Sequence, residues 1–206
     1  MINRLFVAAL FGCFMSHATA ATNPYSDAPG HYAVLAYYGH MSQNTLGQVI
    51  GMNYTLDDEA LYSGEFSYVF LPYQGIRRYF GPLFHSIEAN FNITYHDDCG
   101  NSLFEFIPYL SFRWSHFPWT HYVHTSLAFG EGVSWISDVS TREHRNSDDP
   151  RKLLNYLMFE VTVSAPCYPQ LELVGRIHHR SGVFGMYRAN NSGSSAVGLA
   201  LRYYFS

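Results

Sequence analysis

The sequence predicts an all-β chain: an eight-stranded antiparallel transmembrane β-barrel with a side-chain-filled interior. Three observations carry this. Segments of roughly ten residues alternate apolar with polar side chains, and a period of two is the signature of a strand. Aromatic residues make up 17% of the 206 positions and charged residues only 14%, which is unlike a soluble domain. Past the first twenty residues, nothing approaches the ~20 consecutive apolar residues that a membrane helix needs. The remaining way to satisfy backbone groups in lipid is a closed barrel. A formal net charge of -4 with no basic stripe argues against nucleic acid as a partner.

Residues 1–20 read as a signal peptide. Arg4 supplies the positive start, residues 5–15 the apolar core, and Ala18, Thr19 and Ala20 the small-residue cleavage site. Lipoprotein processing at Cys13 is the runner-up. Residues 21–206 then form one barrel domain. Export combined with membrane strands places it in the bacterial outer membrane; a soluble periplasmic barrel is the competing reading.

Residues 21–30 are a polar, proline-broken tail, expected in the periplasm. A first strand lies near residues 32–40, and a long connection follows over 41–58. The second strand sets Tyr62, Phe66, Tyr68 and Phe70 against Ser63, Glu65 and Ser67. After a turn over 71–82, the third sets Ile87, Ala89, Phe91, Ile93 and Tyr95 against Glu88, Asn90, Asn92 and Thr94. Residues 97–101 are a turn signal. The fourth strand puts Phe104, Phe106, Leu110, Phe112 and Trp114 outward, with Glu105, Tyr109, Ser111 and Arg113 on the other face. Pro108 lies on it, so a bulge or an unpaired position is expected there. A turn over 115–120 leads to a fifth strand through Val123, Thr125, Leu127 and Phe129. A polar loop over 137–152 precedes a sixth through Leu157, Phe159, Val161 and Val163. The seventh presents Leu171, Leu173 and Ile177 outward and Glu172, Arg176 and His178 inward. The eighth alternates Val197, Leu199, Leu201, Tyr203 and Phe205 with smaller or polar residues.

The expected connections alternate, short at one end and longer at the other, as in outer-membrane barrels. Eight strands enclose a space only wide enough for side chains. Glu65, Glu88, Glu105, Glu160, Glu172, Arg113, Arg176 and Arg202 fall inside, where unpaired charges are costly. A paired polar network, and no open pore, is the expectation. Cys99 and Cys167 are predicted at opposite ends of the barrel, beyond the ~7 Å Cα separation that a disulfide tolerates.

The stretch from Glu172 to Phe205 carries the candidate site. Counting on from Ile177 puts His179 and Ser181 on the apolar, outward face. A histidine beside a serine is the pairing that makes a hydroxyl nucleophilic. This stretch, with its His179-Arg180-Ser181 element at the end of the seventh strand, resembles the lipid A 3-O-deacylase family. The segments 127–132 (LAFGEG) and 153–160 (LLNYLMFE) are similar to those of related barrels. The resemblance implies an outer-membrane ester hydrolase that removes an acyl chain from lipid A. Lipopolysaccharide is its partner, His179 the base and Ser181 the nucleophile, with no cofactor and no metal. Backbone N–H groups of Gly182 and Gly185 would bind the oxyanion, and Arg180 and Arg188 the lipid A phosphates.

The family completes its triad with a glutamate near the start of the eighth strand. No Asp or Glu occurs from Ser181 to Ser206, and that place falls near Gly193. Asn190 or Asn191, or a loop acid such as Glu143, Asp148 or Asp149, are the alternatives. Glu131 faces outward but stands two strands from His179, roughly 10 Å away. The competing reading is a non-catalytic barrel in which this element is a hydrogen-bonded strand end. His96, Asp97, Asp98 and Cys99 read as a solvated turn rather than a metal site. His116, His121 and His124, with Trp119, read as an interfacial aromatic girdle.

Overall fold

The computed structural model describes residues 30–70, 84–98, 101–140, 151–182 and 193–206. Eight strands close into one antiparallel barrel. They are β1 (Tyr32–Ser42), β2 (Leu56–Phe70), β3 (Ser86–Asp98), β4 (Asn101–Trp114), β5 (His124–Ile136), β6 (Leu153–Ser164), β7 (Leu171–Ser181) and β8 (Gly193–Phe205). One short helix, α1 (Leu46–Ile50), lies in the β1–β2 connection. Each strand pairs with the next, and β8 returns to β1 in unbroken register from Tyr32↔Phe205 to Ser42↔Ser195.

The faces are reversed relative to a soluble protein. Val34, Tyr38, Phe66, Phe91, Leu127 and Leu201 are exposed, whereas Glu65, Glu88, Glu105, Arg176 and Arg202 are buried inside. A continuous apolar exterior around a charged, packed interior is the arrangement of a membrane-spanning barrel. The protein is accordingly an integral barrel of the bacterial outer membrane. β1 begins and β8 ends at one rim, assigned as periplasmic; the other rim, through Ser42, Asp98 and Ser181, is the outer one.

Inside, the expected pairing is found. Arg176 bridges Glu65 (2.6 Å) and Glu160 (2.7 Å), and Arg113 bridges Glu88 (2.6 Å) and Glu160 (3.0 Å). Arg202 joins Glu160 at 2.8 Å and Glu172 at 3.3 Å. Each acid shares at least one guanidinium, which offsets much of the cost of taking it out of water. Tyr109 packs over Gly130 and Gly132; a Cβ on Gly132 would lie 2.4 Å from that of Tyr109. The GEG segment is thus glycine on its inward positions because the Tyr109 ring fills the space at Gly130 and the Pro108–Tyr109 backbone fills it at Gly132.

Pro108 behaves as its chemistry requires. It pairs with Phe91 of β3, but the β4–β5 ladder skips it between Phe106↔Trp135 and Tyr109↔Gly132 without a change of register. Other expectations need correction. β2 begins at Leu56, inside the predicted connection, because Asp57, Asp58 and Glu59 mask a strand whose Glu59 is buried and bonded to His96. The short and long connections do not alternate throughout: residues 71–85 link β2 to β3 at the periplasmic rim, while only 99–100 link β3 to β4. Cys167 is disulfide-bonded in the structure, and the expected separation of Cys99 from Cys167 involves a residue outside the described ones. The signal peptide (1–20), Cys13, Cys99 and the turn over 71–82 also lie outside them.

Candidate functional site at the outer end of β7

Burial alternates along β7 up to His178, and His178, His179 and Arg180 at its outer end are all buried. Glu172, Val174, Arg176, His178 and Arg180 are buried on the inward side, and Leu171 and Leu173 are exposed to the outside. His179 and Ser181 therefore share the outward face, and His178 follows Arg176 inward, as the sequence predicts. The ring of His179 is 8% exposed and its Nδ1 lies 2.9 Å from Ser195 Oγ on β8. Among the described residues, that hydroxyl is the side-chain hydrogen-bond partner of His179. The two residues are directly opposite in the β7–β8 ladder, while Ser181 stands opposite Gly193.

Arg180 is a correction. It is 2% exposed and turned into the barrel, where Nε donates to Ser134 Oγ at 2.7 Å and lies 3.5 Å from Glu105 Oε1. Strand alternation dictates this, since Arg180 follows His178 by two. It is not placed to meet a lipid phosphate. Gly182 is buried immediately beyond the strand end, next to Ser181. Arg188, Gly185, Asn190, Asn191, Glu143, Asp148 and Asp149 lie outside the described residues.

Arg180 belongs to a second polar cluster beneath the site. Glu105 accepts from Ser134 (2.5 Å) and pairs with His96 (2.8 Å), whose other ring nitrogen reaches Glu59 at 2.8 Å. His178 Nε2 lies 3.0 Å from Glu105, at ion-pair distance but without hydrogen-bond geometry. His96 is thus a buried structural bridge rather than part of a solvated turn. No group of three metal-ligating side chains occurs among the described residues. At the periplasmic rim Trp119 stacks on Phe117 at 5.0 Å and donates to Thr125 at 2.9 Å, consistent with an aromatic girdle there.

Glu131 is exposed on the outside of β5, beside a shallow notch of about 370 Å³ at the skipped Pro108. In register it stands opposite Leu157, which in turn stands opposite His179. One strand separates the carboxylate from the imidazole, so Glu131 does not complete a triad. The residue that sequence reasoning missed is Ser195. Its outward position on β8 was legible from alternation, but its pairing with His179 depends on the β7–β8 register.

The fold defines a class: small closed barrels of the outer membrane with a plugged interior. No protein-family model matches the chain, and no curated protein matches it. Solved structures do. The outer membrane enzyme PagL superposes with a TM-score of 0.51 at 14% identity, over 84% of this chain and 99% of that one. Neisserial surface protein A (NspA) matches at a TM-score of 0.46 and 11% identity, over 87% and 100% of the two chains. Ail of Yersinia pestis, in a phospholipid bilayer nanodisc, matches at 0.40 and 12%, over 84% and 99%. At such identities the likeness is one of fold.

Proposed function

We propose that this barrel is an outer-membrane ester hydrolase that removes an ester-linked acyl chain from lipid A, with His179 as base and Ser181 as nucleophile. One observation supports the reading: a buried, hydrogen-bonded imidazole stands two residues from a serine at the outer end of β7, which in this reading is the level where lipid A headgroups meet acyl chains. His179 takes the Ser181 proton as Oγ attacks the ester carbonyl. The backbone N–H of Gly182 is the assigned donor to the developing oxyanion, and His179 returns the proton to the departing sugar oxygen. Water then releases the fatty acid from Ser181 by the same steps in reverse. Arg188 is the remaining candidate for a phosphate of lipopolysaccharide, because Arg180 is committed to the interior. No cofactor enters this chemistry.

A non-catalytic barrel that stabilises the outer leaflet or binds a ligand through its loops is the second reading. It is favoured by one observation, that the bond of His179 runs to Ser195 rather than to Ser181. Mass spectrometry of lipid A decides between them. Cells expressing the protein are expected to lose one ester-linked acyl chain, and cells expressing Ser181→Ala at equal barrel levels to keep it. Identical lipid A in both would establish the non-catalytic barrel.

A further inference from the structure

We infer that Ser195 is the positioning residue of the site: at a ring that also hydrogen-bonds the Ser194 backbone, it accepts the Nδ1–H of His179 and leaves Nε2 as the basic nitrogen. As a statement about catalysis this rests on the esterase reading; as a statement about the ring it does not. His179 and Ser195 are Cα partners in the β7–β8 ladder. Directly opposed residues leave the sheet on the same side with Cβ atoms about 4.5–5.5 Å apart, so an imidazole and a hydroxyl meet without strain. The observed separation of 2.9 Å is an ordinary hydrogen bond. Ser195 is 1% and His179 8% exposed, so water does not compete for the bond, and the low local polarity strengthens it.

Glycine stands at the place where the resemblance expects a carboxylate. Gly193 stands opposite Ser181, not opposite His179. A Cβ there would lie 3.8 Å from His179 Cε1, in ordinary contact with the ring, so an acidic side chain at 193 could also reach the imidazole, and glycine supplies none. The side chain that meets Nδ1 instead is Ser195. A histidine with one ring nitrogen held as donor keeps its lone pair on the other, and that tautomer is what a general base requires. A hydroxyl orients the ring as a carboxylate does but brings no charge to stabilise the imidazolium formed during attack. The site is therefore built for orientation without charge assistance, and an acid at 195 should improve it.

The test uses the full barrel, refolded in detergent micelles with lipid A as substrate, and heat-modifiable gel mobility as the control for folding. Ser195→Ala is expected to lower kcat by about 10–100-fold with little change in KM. Ser195→Thr, which keeps the hydroxyl, should retain most of the rate, and Ser195→Asp should exceed the native protein. Independently of turnover, ¹⁵N NMR of histidine-labelled protein should show His179 protonated at Nδ1 in the native barrel and Ser195→Thr, and at Nε2 in Ser195→Ala. Native kcat in Ser195→Ala, or an Nε2-protonated His179 in the native barrel, overturns the inference. If the native barrel is inactive, or Ser181→Ala is as active as the native protein, the esterase reading fails; the tautomer spectra still decide whether Ser195 holds the ring.

Discussion

Glu160→Leu is expected to destabilise the folded barrel by about 3–5 kcal/mol, the range for leaving buried charges without their partner. Glu160 is the hub of the interior: its carboxylate accepts from Arg113 at 3.0 Å, Arg176 at 2.7 Å and Arg202 at 2.8 Å. All three guanidiniums are 5% exposed or less. Glu88, Glu65 and Glu172 each retain one of them, at 2.6, 2.6 and 3.3 Å respectively. None spans the set as Glu160 does, and leucine offers no acceptor. The measurement is the urea midpoint for loss of the heat-modifiable band. An unchanged midpoint would mean that the interior is wet enough to solvate the three arginines.

Gly198→Val is expected to abolish the closed barrel. Gly198 faces Gly39 across the β1–β8 seam. A Cβ at 198 would lie 2.1 Å from the Tyr38 carbonyl oxygen and 2.4 Å from Gly39 Cα, both backbone atoms that cannot swing aside. The ring of Tyr37, 2.8 Å away, closes the remaining space. Valine there separates the two strands whose pairing removes the sheet edges, and an unclosed sheet cannot satisfy its backbone in lipid. The variant should accumulate without the heat-modifiable form. Gly64→Ala is the matched comparison: nothing lies within 4 Å of its Cβ position, and it should assemble normally. Normal assembly of Gly198→Val would contradict the described seam.

Most of the fold was legible because a barrel strand presents one face to lipid and the other to a packed interior. Period-two alternation then assigns Glu65, Glu88, Arg113 and Arg176 inward without any knowledge of contacts. The strand ends were less legible. Asp57, Asp58 and Glu59 carry the charge of a loop, yet Glu59 is drawn inside by His96, a contact between strands that local composition does not encode. Connection lengths failed for a related reason: β3 and β4 pair up to Asp98↔Asn101, and extra paired residues look like loop until the partner is known.

The candidate site divides in the same way. Alternation places His178 inward and His179 and Ser181 outward, and it equally sends Arg180 inward, which rules against a phosphate contact. The partner of His179 was not legible, because it comes from a different strand and alternation along one strand does not give the register with the next. A search for an acid along the sequence has no means of finding a serine sixteen positions on.

The most direct test of the central claim is covalent labelling of the folded barrel with an alkyl fluorophosphonate, followed by peptide mass spectrometry. A serine activated by His179 at the lipid face attacks phosphorus, forming an Oγ–P bond with loss of fluoride. The account predicts stoichiometric modification at Ser181, abolished in His179→Ala. Unlabelled native barrel, or a label on Ser195 with Ser181 untouched, would contradict it.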